Sequence, residues 1–141
     1  MNRGISDYRL SEQEQYWKEL HLGDADKTTV GHDLFSDQYK KQNISFPIKN
    51  EVIDKLKAVT KGNDLLTYVF FLTALNIELY KYTGNDEIVV GVPVYFSDKK
   101  RPLSIKNKEL PFKSNINGTV NVKSFLMETK KKLLEQLMQQ L

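Results

Sequence analysis

Residues 65–94 read LLTYVFFLTALNIELYKYTGNDEIVVGVPV, and the fold turns on how this stretch is covered. Its first part is apolar on nearly every side of a helix, which predicts an element packed between layers rather than one lying on a surface. Asp64 is placed to cap its start and Gly84 to close it. The second part, Ile88 to Val94, is apolar without alternation, which predicts a strand inside a sheet covered on both faces. Phe71 falls on the helix face expected to lie deepest. Asn76, Glu78 and Lys81 break the apolar run before it reaches the ~20 residues needed to cross a bilayer, so a core helix is expected and no membrane span.

Upstream, Ile44, Phe46 and Ile48 alternate with Asn43, Ser45 and Pro47, the period of a half-buried strand, with the proline pointing to a sheet edge. Asn50 then caps a helix through Val52, Ile53, Leu56 and Val59, stopped at Gly62. Further back, Ser11 and Glu14 have capping-box spacing ahead of Tyr16, Trp17 and Leu20, predicting a short helix that ends near Gly23, with residues 1–10 as a tail. The polar run from Asp24 to Lys41 reads as an exposed connection anchored by Phe35. Downstream, Ser97 to Pro102 reads as a charged loop, and Leu103 to Ile105 and Glu109 to Ile116 as short strands. A turn follows at Asn117-Gly118, then an amphipathic helix from Val122 to Leu141 carrying Phe125, Leu126, Leu133, Leu134, Leu137, Met138 and Leu141. That pattern meets no stop signal, which predicts either a frayed end or a chain cut short of its natural boundary. The whole is an α/β (α+β) layered sandwich.

Composition narrows the function classes. With 141 residues the chain suits one domain, and a net charge of +3 spread along it gives no footprint for nucleic acid. No cysteine is present, which excludes disulfides, thiolate metal sites and a cysteine nucleophile. The N-terminus has no apolar segment of the secretory kind. His21 and His32 are the only histidines, each in a polar loop context that favours a solvated side chain over a catalytic base. Metal-ligating spacings, phosphate-cradling glycine loops and a nucleophile elbow are all missing from the sequence. Asp86 and Glu87 are adjacent at a strand entrance and point to opposite faces, which disfavours a carboxylate pair working together.

One run carries more than periodicity. Tyr82-Thr83-Gly84-Asn85-Asp86-Glu87-Ile88-Val89-Val90-Gly91-Val92-Pro93-Val94 resembles the RYTGQDDIVVGTPV signature of condensation domains of nonribosomal peptide synthetases. Tyr16-Trp17 with Leu20 is similar to the helix that opens the second lobe of those domains, and Leu66 to Leu75 to their central helix. Ser104 to Lys113 is similar to the segment around their V-N-T motif, and Ser124-Phe125-Leu126 to the start of a later helix.

The resemblance covers residues 11–141 and implies one lobe of a chloramphenicol acetyltransferase-like fold, incomplete and truncated at the C-terminus. In that family an aminoacyl amine attacks a donor thioester, both held on phosphopantetheine arms of carrier proteins, near a histidine of an H-H-x-x-x-D-G motif in the first lobe. This chain has no tandem histidine, so no catalytic residue and no directly bound cofactor is expected in it. The partners implied are a carrier protein, a polypeptide supplying the first lobe, or a second copy meeting it through exposed apolar surface, in the cytoplasm. Gly91, Val92, Pro93 and Asn107 are the residues expected to face the substrate channel or the partner. For Gly91 a bulge or simple packing glycine is the competing explanation. The alternative function is a noncatalytic module that binds a carrier protein or a complementary lobe.

Overall fold

A computed structural model describes residues 3–20, 22–23, 28–31, 40, 42–93 and 109–138. Its elements in chain order are α1 (Arg3–Glu19), α2 (Asn50–Thr60), α3 (Asp64–Thr83), β1 (Glu87–Pro93), β2 (Glu109–Asn115) and α4 (Val122–Met138). The expected strand at Leu103 to Ile105, the charged loop at Ser97 to Pro102, His21, His32 and Asn107 lie outside the described residues.

The helix at the centre of the opening stretch forms because its ends are well specified. Asn63, one residue before the expected cap, holds an extended conformation and accepts a hydrogen bond from the Leu66 N–H at 2.9 Å. Gly84 closes the other end with φ 72°, its N–H donating to the Tyr80 carbonyl at 2.9 Å. Between them Val69, Leu72, Thr73 and Asn76 are buried. In α2, Asn50 is the first helical residue rather than the cap: Lys49 takes the cap position with no side-chain bond, and Lys61 and Gly62 both turn left-handed at the C-terminal end.

β1 and β2 pair antiparallel, forming a two-stranded sheet among the described residues, with Val90 opposite Phe112. The Ile116 N–H donates to the Asp86 carbonyl at 2.8 Å, which makes 86/116 a hydrogen-bonded pair and puts the even residues of β1 in the ladder with β2. The odd residues therefore turn their peptide groups to the outer edge. There the Val89 N–H donates to Thr28 Oγ1 at 2.9 Å. On the outer edge of β2 the Pro111 carbonyl accepts from Gln136 Nε2 at 2.9 Å.

α3 and α4 lie together on one face of this sheet, giving two layers of α+β type. Val69, Leu72, Val92, Phe112 and Leu133 form one buried cluster, and Ile88, Ile116 and Phe125 a second. Asn76 is fully buried and bonds across the layers: its Nδ2 donates to the Leu72 carbonyl, and its Oδ1 accepts from Ser114 Oγ at 2.7 Å. Such a bond aligns helix with strand more specifically than apolar contact alone.

Four expectations need correction. β1 is buried on one face only: Ile88 and Val92 point into the core, whereas Gly91 and Pro93 are exposed, because α3 and α4 cover a single side of the sheet. Phe71 is not deepest but 48% exposed, on the flank of α3 away from Val69, Leu72 and Asn76. Residues 42–49 are not paired as a strand, and Ile44 and Phe46 stand 83% and 79% exposed. Finally, α1 begins at Arg3 rather than at Ser11, which is interior to the helix.

Candidate functional site

The face of the sheet opposite the core carries the odd residues of both strands, and here the polar chemistry collects. Lys113 on β2 lies diagonally across from Glu87 on β1, with its Nζ 2.9 Å from Glu87 Oε1 and its side chain only 12% exposed. This placement follows from strand alternation: Phe112 and Ser114 go inward, so Lys113 must go the other way. Beside the outer edge of β2, where Gln136 of α4 reaches the Pro111 carbonyl, the end of α1 and the polar side of α4 frame a half-open groove of about 400 Å³, bordered by Tyr16, Glu19, Leu20, Glu87, Lys113, Asn115, Lys132, Glu135 and Gln136.

On α4 the residues Lys132, Glu135 and Gln136 share one face by three- and four-residue spacing. Lys132 is drawn away by Glu128, at 2.8 Å, and Glu135 pairs loosely with Lys131 at 3.8 Å. Glu19 accepts from Gln15 Nε2 at 2.8 Å. Gln136 is almost fully buried: its Nε2 is spent on the Pro111 carbonyl, and its Oε1 has no hydrogen-bond partner. Burial first, and then the negative charge of Glu135, raise the ionisation of the Tyr16 phenol above its ordinary value of 10.0, against a smaller opposing contribution from the Gln136 amide. The phenol is therefore neutral and a hydrogen-bond donor at physiological pH.

Of the residues expected to face a channel or partner, Gly91 and Pro93 are exposed on the open side of β1. Val92 is a core residue packed with Val69 and Phe112, so its side chain cannot line that side. A Cβ at Gly91 would come within 3.3 Å of Glu109 Oε2, the movable end of a side chain, so tight backbone packing does not require this glycine. Periodicity missed the groove because Lys113, Glu87 and Gln136 come from three separate elements. The signal available was the placement of Glu87 and Lys113 on the outward-facing positions of two neighbouring strands. Among the described residues no group of three or more His, Asp or Glu is arranged to hold a metal, and no helix is long and apolar enough to cross a membrane.

Comparison with known proteins adds the family. The family model described as "Condensation domain" matches residues 5–140. The chain is 35% identical over 89 residues to bacitracin synthase 2 of Bacillus licheniformis, a match covering 61% of this chain and 3% of that protein. It is 25% identical over 139 residues to gramicidin S synthase 2 of Brevibacillus brevis, covering 94% and 3% respectively. With tyrocidine synthase 3 of Brevibacillus parabrevis the identity is 22% over 132 residues, covering 89% and 2%. Measured against these relatives, the chain spans only 2–3% of their length. No solved structure matches.

Proposed function

Since the chain belongs to the condensation-domain family, we propose that it forms part of the second lobe of such a domain and acts by completing a catalytic unit with a first lobe. That unit would join two acyl groups carried as thioesters on the phosphopantetheine arms of carrier proteins. The acceptor amine attacks the donor carbonyl, a C–N bond forms, the C–S bond breaks and the donor arm leaves as a thiol. The first lobe brings the H-H-x-x-x-D-G histidine, and the gain comes chiefly from holding both tethered substrates in reach of each other. The second lobe contributes a wall. A cytoplasmic location goes with this reading, as does a chloramphenicol acetyltransferase-like architecture for the assembled unit.

The observation that carries the proposal is the apolar flank of α3. Phe71 and Leu75, one turn apart, are each about half exposed on the helix that otherwise forms the core. Apolar groups arranged this way are suited to cover by another polypeptide surface. A second reading, a noncatalytic module that binds a carrier protein or complementary lobe, is favoured by the sequence itself, whose two histidines are eleven positions apart and cannot form the tandem motif.

The two readings separate in one reconstitution. The chain is mixed with a first-lobe polypeptide and with donor- and acceptor-loaded carrier proteins, then followed by size-exclusion chromatography and mass spectrometry of the carrier-bound product. A complex that yields the amide product supports the catalytic reading. A complex without product supports the interaction module, and the absence of any complex at tens of micromolar overturns both.

A further inference from the structure

Between β2 and α4 the chain turns through Asn117-Gly118, where an amide side chain stands beside an open backbone nitrogen. The Val120 N–H donates to the Asn117 carbonyl at 3.1 Å and closes the turn. The Asn117 side chain folds forward over it, its Oδ1 accepting from the Thr119 N–H at 3.2 Å and from the Thr119 hydroxyl at 2.7 Å. Asn117, Gly118 and Thr119 are all exposed. Among the described residues neither the Gly118 N–H nor the Asn117 Nδ2 has a hydrogen-bond partner. The turn does not itself demand a glycine: the Gly118 φ lies outside the left-handed region, and a Cβ there would meet the Tyr80 hydroxyl oxygen at an ordinary contact distance of 3.4 Å. What the glycine supplies is a nitrogen with no side chain to shield it.

We propose that Asn117 is a site of spontaneous deamidation in the folded protein, in which the Gly118 nitrogen closes a succinimide ring on the Asn117 side chain while Thr119 holds and polarises its carbonyl. Hydroxide takes the Gly118 N–H proton, and the nitrogen forms a bond to Cγ. The negative charge that develops on Oδ1 falls between the two Thr119 donors, as in an oxyanion hole. The Cγ–Nδ2 bond then breaks, and Nδ2 takes a proton from water and leaves as ammonia, which regenerates hydroxide. Water opens the ring: attack at Cγ gives aspartate, and attack at the former main-chain carbonyl gives isoaspartate, whose main chain is longer by one carbon. Either product adds a negative charge. Isoaspartate also displaces the carbonyl that Val120 uses, next to Asn121, whose Oδ1 caps α4 through the Lys123 N–H at 2.8 Å. The junction that sets α4 on the sheet is therefore loosened as the protein ages. Asn115 and Asn121 are controls in the same stretch, being followed by the branched Ile116 and Val122, and the Ile116 N–H is tied to the Asp86 carbonyl at 2.8 Å.

The test incubates the full chain in heavy-oxygen water near neutral pH, with circular dichroism confirming the native fold, and digests it with trypsin in ordinary water. Heavy oxygen then marks only conversion in the intact protein. Cleavage after Lys113 and Lys123 releases Ser114 to Lys123, a peptide carrying Asn115, Asn117 and Asn121 together, and fragmentation assigns the label. Label is expected at Asn117 as both aspartate and isoaspartate, rising with time and with pH, and far less at Asn115 and Asn121. Gly118→Ala, whose methyl group crowds the nitrogen, should keep the fold and slow conversion about tenfold, ~1.4 kcal/mol of barrier. Thr119→Val should slow it about fivefold, the worth of one hydrogen bond. No label at Asn117, equal label at the three asparagines, or an undiminished rate in Gly118→Ala overturns the proposal. A rate in Thr119→Val that is unchanged or faster overturns the part given to Thr119.

Discussion

At the scale of single residues, the molecule separates apolar side chains that are merely present from those that hold it together. Phe112 is fully buried between α3 and α4, whereas Phe71, on the most apolar helix of the chain, is half open to solvent. Phe112→Ala should therefore cost about 3–5 kcal/mol, while Phe71→Ala should cost less than about 1.5 kcal/mol because less area returns to water. Urea unfolding of the two variants checks this. A Phe71 cost equal to that of Phe112 would mean that the flank of α3 is covered in solution. The same contrast shows what a sequence conceals. Periodicity cannot rank Phe70, Phe71 and Leu72, because a helix apolar all round gives no direction, and the ranking comes only from the position of the sheet. Nor does it show that Asn76, the residue that interrupts the apolar run, is the one that bonds to Ser114 across the core.

Whole elements were more legible than their roles. The start and end of α3 follow from local chemistry, and the Asn63 side chain and the left-handed Gly84 are each independent of tertiary contacts. Asn63→Ala and Gly84→Ala should each remove about 1 kcal/mol, and because the two ends lie far apart the losses should add in the double variant. Thermal or urea unfolding measures both. A strongly non-additive result would show that the two ends communicate through the packed face of the helix. β1, β2 and α4 were likewise expected close to where they lie. The period-two pattern at Ile44, Phe46 and Ile48 did not become a ladder, since among the described residues no strand pairs with it. The start of α1 was misplaced because a capping-box spacing also occurs inside helices, and Ser11 with Glu14 has nothing local to distinguish the two cases. The groove was the least legible part. Its polar groups come from α1, β1, β2 and α4, and only the antiparallel register brings Glu87 near Lys113.

For the molecule as a whole, the position of exposed apolar surface is what ties the fold to its proposed partner. Replacing Phe71 and Leu75 together by Glu changes two half-exposed positions, so circular dichroism should be unchanged. Binding of an apolar dye should fall, and so should association with a first-lobe polypeptide. If association persists undiminished, the lobe contact lies elsewhere on the molecule. The family assignment did not require the structure, since the run from Tyr82 to Val94 already carried it. The structure shows instead that its strand, Glu87–Pro93, is laid out with one side toward the core and the other open.

The outer edges of the two strands have a further consequence. A seven-residue strand reading EIVVGVP, in a sheet that has two strands among the described residues, is rich in the β-branched residues that favour pairing with further strands. On its outer edge the Val89 N–H is already taken by Thr28, and Pro93 has no N–H to offer. On the other side Pro111 likewise lacks an N–H, and its carbonyl is taken by Gln136. Each edge thus combines a missing donor with a peptide group already engaged by a side chain, so neither offers an unbroken template for fibril growth. The valine-rich sequence can therefore serve the core without making the protein prone to polymerise through its sheet.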